Sequence, residues 1–159
     1  MGRPTENLAR AIARLGGISG VLGVEASPVY LTEPQLVREQ PWFANQVARV
    51  LCGPQVTPLG FLEELLKVEI ELGRDRTQGE GAAVRYGPRV IDLDLLLFGN
   101  LVMQADHLTL PHPGILKRAF VLLPLVDLDQ GLVLPDGTVA AQALAKLEYR
   151  REGERLWQE

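Results

Sequence analysis

Apolar positions recur along this chain with two periods, and the switches between them mark its elements. Leu8, Ile12 and Leu15 stand at helical spacing behind Thr5, a capping residue, and Gly16-Gly17 is expected to end that helix. From Val21 to Tyr30 the chain leans toward strand, with Pro28 marking an edge or a break. Thr32 to Pro41 is polar, carries proline and reads as a loop. Phe43 to Leu51 reads as a second strand with imperfect alternation. Thr57-Pro58, a capping hydroxyl followed by a first-turn proline, predicts a helix to about Leu72 that stops at Gly73. Val90 to Phe98 carries the clearest strand pattern. Gly99-Asn100 predicts a turn into a short strand near Leu101–Met103. Leu108 to Pro113 reads as extended, and Gly114 to Leu123 as containing a short helix. After a turn at Pro135-Asp136-Gly137, Thr138 caps a last helix to about Leu147. Helix, strands, helix, strands, helix predicts an α+β fold, with helices packed on a mostly antiparallel sheet. No linker, repeat or low-complexity tract divides the sequence, so residues 1–159 are expected to form a single domain.

Composition narrows the class. A chain of 159 residues that is 47% hydrophobic and 23% charged can bury a core and is too apolar for bulk disorder. The longest apolar stretches, Leu93–Phe98 (broken by Asp94) and Ala119–Val126, fall far short of the ~20 residues a membrane span needs. The polar start, Met1 to Glu6, does not read as a signal peptide. The single Cys52 has no internal partner, as expected in a reducing cytoplasm. With 16 Lys+Arg against 20 Asp+Glu, a net charge of −4 argues against general nucleic-acid binding.

Three groups of residues carry candidate chemistry. Alternation along a strand places Asp92 and Asp94 on one face and Ile91, Leu93, Leu95 and Leu97 on the other. Two like charges on one face repel, and a divalent cation removes the repulsion; hard carboxylate donors suit Mg²⁺ beside substrate phosphates. A solvent-facing strand with two surface acids is the plainer alternative. Glu69 lies about 20° from Leu62 on the helical wheel, inside an apolar stripe with Leu65, Leu66 and Leu72. A carboxylate there must be bonded or paired, either structurally to a backbone amide or an arginine, or to a ligand at the inner end of a pocket. The cationic set is Arg74, Arg76, Arg85, Arg89, Arg118 and His112. Its first four members bracket a glycine-rich stretch from Gly73 to Pro88, which reads as a loop able to close over a polyphosphate. A solvated surface loop is the bland alternative. Metal carboxylates beside phosphate-binding cations are what phosphoryl transfer requires. No phosphate-binding P-loop, zinc-ligand spacing or Gly-x-Ser-x-Gly elbow is present.

Four ordered motifs then resemble one family. Tyr86-Gly87-Pro88-Arg89-Val90-Ile91-Asp92-Leu93-Asp94-Leu95-Leu96-Leu97-Phe98-Gly99 is similar to the signature of the 6-hydroxymethyl-7,8-dihydropterin pyrophosphokinases of folate biosynthesis. Leu110-Pro111-His112-Pro113 with Arg118-Ala119-Phe120-Val121-Leu122 resembles a second block. Glu69 with Gly73-Arg74-Asp75-Arg76 resembles a helix-to-loop junction, and Pro41-Trp42-Phe43-Ala44-Asn45 a pterin-site segment. The resemblance implies a ferredoxin-like sandwich and transfer of pyrophosphate from ATP to the pterin alcohol, with AMP leaving. It implies two Mg²⁺ ions on Asp92 and Asp94, and Arg74 and Arg89 stabilising the phosphates with Arg76 and Arg85 assisting. His112 and Arg118 would bind ATP, with Glu69, Tyr86 and Ile91 also on the nucleotide side. Phe43 and Phe120 would sandwich the pterin, Asn45 would bond its edge, and Thr32, Pro34 and Gln35 would complete the site; for the two phenylalanines, core packing is the alternative.

The sequence also departs from the family pattern. A strand ending in Gly-Ser-Asn usually precedes the first helix, and Met1 falls where it should have ended. One strand is therefore expected to be missing, with a monomer as the default and oligomers if a sheet edge is left open. Leu66 stands where the family often has a glutamine touching ATP, Phe43 replaces a common tyrosine, Tyr86 a tryptophan and Gly114 an arginine. Two other functions compete: a catalytically silent pterin or nucleotide binder, and a two-metal phosphodiesterase, which the net charge disfavours.

Overall fold

In the computed structural model, which describes residues 4–33, 42–73 and 90–158, α1 runs from Pro4 to Gly16 and α2 from Pro58 to Glu71. The Thr57 hydroxyl caps α2 by accepting the Gly60 N–H at 3.1 Å, and the helix stops before Gly73, whose φ of +103° suits glycine. Thr5 lies inside α1, which starts at Pro4, so it is not the cap that the sequence predicts. The described residues group into two compact units, residues 4–24, 50–73 and 90–94 in one, and 25–33, 42–49 and 95–158 in the other.

In the first unit α1 buries Asn7, Ala11 and Leu15, one stripe at i, i+4 spacing, and α2 buries Phe61, Leu65, Val68 and Glu69. The two helices pack on one another, with Ile18, Leu72 and Ile91 also buried. Arg14 and Glu71 pair at the helix ends, but both are about half exposed, so the pair contributes under about 1 kcal/mol.

The second unit holds a four-stranded sheet in the order β3 (Phe43–Asn45), β2 (Tyr30–Thr32), β8 (Arg155–Trp157), β7 (Arg150–Glu152). β2 runs antiparallel to β3, with Thr32 opposite Phe43 and Tyr30 opposite Asn45, and parallel to β8, with Thr32 opposite Leu156. β5 (Met103–Ala105) and β6 (Leu108–Leu110) form an antiparallel hairpin. A 3₁₀ turn at Ile115–Lys117 leads into α3 (Ala119–Leu128), and α4 spans Ala140–Leu144. Tyr30, Ile115, Leu122, Leu134, Ala140 and Leu156 meet in the core of this unit. β1 (Val21–Ala26) and β4 (Ala48–Cys52) make a further two-stranded sheet. The mixed helix and sheet content and the mostly antiparallel pairing are those of an α+β protein.

Several elements differ from the periodicity. The stretch Val21 to Tyr30 is two strands, divided by Ser27-Pro28-Val29, and Phe43 to Leu51 is likewise divided, at Gln46-Val47. Side chains fill these breaks: the Ser27 hydroxyl accepts the Val47 N–H at 3.0 Å, and Gln46 Nε2 donates to the Ser27 carbonyl at 2.7 Å. Thr32 closes β2 instead of opening a loop. The strand expected near Leu101–Met103 starts at Met103. α3 extends to Leu128 as an almost wholly apolar run that buries Ala119 and Leu122 to Leu125. The last helix is only Ala140–Leu144, without a side-chain cap; the Thr138 N–H instead donates to Asp136 Oδ1 at 2.9 Å in the preceding turn. The β7–β8 hairpin, turning at Gly153 with φ +59°, was not expected.

Val90 to Phe98 is the largest correction, since it belongs to no strand among the described residues. Its backbone groups bond elsewhere. The Val90 carbonyl accepts from Asn7 Nδ2 at 3.2 Å, the Leu93 N–H donates to Glu69 Oε1 at 2.7 Å, and the Leu96 carbonyl accepts from the His112 N–H at 2.8 Å. The first part still alternates: Ile91 is buried, Asp92 exposed, Leu93 half-buried, Asp94 exposed. Period two follows from extended backbone and needs no ladder.

Tyr30 ties β2 to α3 by donating its hydroxyl to Asp127 Oδ2 at 2.5 Å. Burial, then the Asp127 hydrogen bond, pushes its hydroxyl up to about 12 from the usual 10.0. A pKa raised on folding stabilises fully below the unfolded value and loses that contribution as pH rises through the folded one. Urea titrations should therefore show stability falling between about pH 10 and 12, by up to roughly 1.4 kcal/mol per pH unit. Tyr30→Phe should cost roughly 1 kcal/mol at pH 8 and flatten that alkaline decline. An unchanged decline in the variant would assign it to other groups.

Candidate active site

The acidic pair is positioned by the two helices of the first unit. Glu69 points from α2 into the core at 2% exposure. Its Oε1 accepts the Leu93 N–H, the amide between the two aspartates, while Asn7 from α1 holds the Val90 carbonyl. With the backbone held at Val90 and Leu93, Asp92 and Asp94 are exposed and Ile91 is buried at 7% exposure. Of the two readings of Glu69, the structural bond to a backbone amide is therefore present. Among the described residues, no three His, Cys, Asp or Glu side chains gather into a metal cage. A pair of exposed hard carboxylates nonetheless fits Mg²⁺, which takes one or two carboxylates and fills its shell with water and substrate phosphates.

The remaining described candidates belong to the second unit. Thr32, Phe43 and Asn45 come together on the β2–β3 pair. Asn45 Nδ2 donates to Thr32 Oγ1 at 2.9 Å and to the Phe43 carbonyl at 3.2 Å, which orients the amide. The Phe43 ring is 49% exposed, so core packing does not explain it. Phe120 is half-buried on the core cluster. The second group is His112, Arg118 and Phe120. The Arg118 guanidinium carbon lies 5.8 Å from the centre of the Phe120 ring. Gly114 makes room for both neighbours: a Cβ there would come within 3.3 Å of the Arg118 guanidinium and of His112 Cε1. His112 Nδ1 accepts the Gly114 N–H at 3.0 Å, which leaves Nε2 as the N–H donor of the neutral ring. His107 is exposed, and Leu66 is half-buried.

Pro34, Gln35, Arg74, Arg76, Arg85, Tyr86 and Arg89 lie outside the described residues, as does most of the expected loop from Gly73 to Pro88. Sequence reasoning missed Asn7 and Gln158. An asparagine within the buried stripe of α1 was a usable signal, of the kind that singled out Glu69. Gln158 left none, because its partners are backbone groups 41 and 39 positions away.

Glu69→Leu should destabilise the protein by roughly 1–3 kcal/mol in urea denaturation, since the Leu93 amide loses its acceptor. Glu69→Gln keeps an acceptor oxygen and should cost clearly less. Equal losses in the two variants would show that this bond is not what Glu69 contributes.

The geometry can be set beside known proteins. The family model described as 7,8-dihydro-6-hydroxymethylpterin-pyrophosphokinase matches residues 1–130, leaving α4 and the β7–β8 hairpin outside the match. The chain is 37% identical over 149 residues to the 2-amino-4-hydroxy-6-hydroxymethyldihydropteridine pyrophosphokinase of Pseudomonas aeruginosa, covering 94% of this chain and 87% of that one. It is 40% identical over 141 residues to the like-named protein of Methylorubrum extorquens, covering 89% and 84%. For the like-named protein of Haemophilus influenzae the figures are 34% over 139 residues, covering 87% and 82%. A model spanning most of the chain and relatives matched over nearly their whole length agree, and the chain belongs to the 7,8-dihydro-6-hydroxymethylpterin-pyrophosphokinase family.

Proposed function

We propose that this protein transfers the pyrophosphoryl group of ATP to 6-hydroxymethyl-7,8-dihydropterin in folate biosynthesis. The observation that carries the reading is the pair Asp92 and Asp94, both exposed on a segment whose middle amide is locked by buried Glu69. The hydroxymethyl oxygen attacks the β-phosphorus. A new O–Pβ bond forms, the α–β bridge oxygen departs with AMP, and the hydroxyl proton is released.

Asp92 and Asp94 would hold two Mg²⁺ ions, which neutralise phosphate charge and polarise the phosphoryl oxygens when bound. Each protein group has a separate task. The open Phe43 ring supplies one stacking face for the flat pterin, Phe120 the other, and the Asn45 amide binds the ring edge, while backbone groups near Thr32, Pro34 and Gln35 are assigned to the same site by the motif resemblance. His112 offers its Nε2–H, and Arg118 its forked guanidinium, to the nucleotide. Glu69, Tyr86 and Ile91 are assigned to the nucleotide by the motif resemblance, and Leu66 can offer it only apolar contact. Arg74 and Arg89 stabilise transferred and leaving phosphates with Arg76 and Arg85, roles that rest on the motif resemblance.

The fold we infer is a ferredoxin-like sandwich acting as one domain over residues 1–159; the chain crosses between its two units three times. A monomer in the cytoplasm is the state we assign. The lone Cys52 accords with a reducing compartment, and among the described residues no helix is long and apolar enough to cross a membrane.

AMP should appear only when ATP, the pterin alcohol and Mg²⁺ are all present, and chelation with EDTA should abolish it. Asp94→Ala should reduce turnover by roughly a thousandfold or more, since several kcal/mol of charge stabilisation is lost. Because Asp94 is exposed, its unfolding free energy should stay within about 0.5 kcal/mol. A folded protein that makes no AMP would overturn the proposal, and full activity in the variant would overturn the metal assignment.

A further inference from the structure

The Arg118 backbone sits between two polar groups that its own elements leave open. Lys117 ends the 3₁₀ turn, and Ala119 opens α3, whose N-cap is Arg118 itself at φ −123°, ψ 110° with no side-chain cap bond. Arginine cannot cap a helix start, because its side chain has no acceptor. One distant residue supplies both partners. Gln158 Oε1 accepts the Ala119 N–H at 2.7 Å, and Gln158 Nε2 donates to the Lys117 carbonyl at 2.8 Å. A single planar amide thus brackets Arg118 on either side.

The bracket is itself firmly seated. Gln158 directly follows β8, whose Leu156 is 1% exposed in the core, and the Leu31 N–H donates to the Glu154 carbonyl at 2.8 Å. Trp157 meets Trp42 edge-on, with ring centres 5.2 Å apart. The terminal hairpin is therefore anchored to β2 and to the residue beside Phe43, and from that base its next side chain reaches α3.

We propose that Gln158 is a positioning residue for the nucleotide site: it fixes the backbone at Arg118 so that the guanidinium lies over Phe120, beside Gly114 and His112. The inference rests on the transferase reading for Arg118. A two-point clamp limits rotation of the peptide planes from which Arg118 projects, and so lowers the ordering cost when the guanidinium meets a phosphate. The hairpin outside the family match thereby becomes part of the site's support.

The test compares the unmodified chain, Gln158→Met, Arg118→Ala and the double variant. Turnover with the pterin alcohol and binding of α,β-methylene-ATP with Mg²⁺ are measured for each. Gln158→Met keeps the side-chain length and loses both bonds. It should weaken analogue binding and raise KM for ATP by about five- to tenfold with kcat within twofold, the pattern of lost uniform binding. In the Arg118→Ala background it should add nothing, because the two residues act as one unit. A merely structural role would lower the active fraction, reducing kcat and leaving KM unchanged. Should the methionine variant not fold, Gln158→Glu retains the acceptor for Ala119 and loses the Lys117 bond, and the same KM rise and non-additivity are required of it. Binding shifted less than twofold, or losses that multiply in the double variant, overturns the role of Gln158 alone. An unmodified protein that binds no analogue overturns both this role and the nucleotide reading of Arg118. Binding without turnover overturns the transferase reading and leaves the clamp to be judged on affinity.

Discussion

A carboxylate that is almost wholly buried must be bonded where it sits, and Glu69 meets that demand with the Leu93 amide. The consequence reaches beyond one hydrogen bond. Leu93 separates the two aspartates, so fixing its amide fixes which way both side chains leave the backbone. Asn7 does the same at Val90. Two helices with an otherwise apolar interface thus each give up one buried position to hold a segment that no strand pairs with among the described residues. Two adjacent acids would repel each other into many arrangements on a free chain. Here the backbone between and before them is held by the buried side chains Glu69 and Asn7.

In the second unit, aromatic and cationic groups are held by ties between elements far apart in sequence. Tyr30 joins β2 to α3 through Asp127, and Gln158 joins the terminal hairpin to the start of α3. Thr32 and Asn45 orient one another across the β2–β3 pair. Each tie gives a side chain of one element a partner on another. Strands of three residues cannot define a rigid surface by their ladders alone, so side-chain bonds supply the remaining constraint.

Local pattern identified α2 well. Thr57-Pro58 and Gly73 bound α2 because a cap and a left-handed glycine act within one turn. Strands were harder to read. Ile91 to Asp94 alternates as a strand should, yet backbone bonds of the segment Val90 to Phe98 go to Asn7, Glu69 and His112, partners that local pattern does not reveal. Arg150 to Trp157 lacks a run of β-branched residues, yet forms a hairpin because Leu156 fits the core and β2 accepts β8.

Residue type and spacing, by themselves, determined the acid pair, the misplaced carboxylate of Glu69, the α+β class and the family, because charge repulsion, helical phase and an ordered motif are properties of the chain taken one segment at a time. Tertiary structure alone decided that Glu69 grips the Leu93 amide, that Phe43 stands open while Phe120 leans on the core, and that Gln158 brackets Arg118. Those outcomes depend on which distant backbone groups lack a partner once the chain has packed, and only the packed chain defines them.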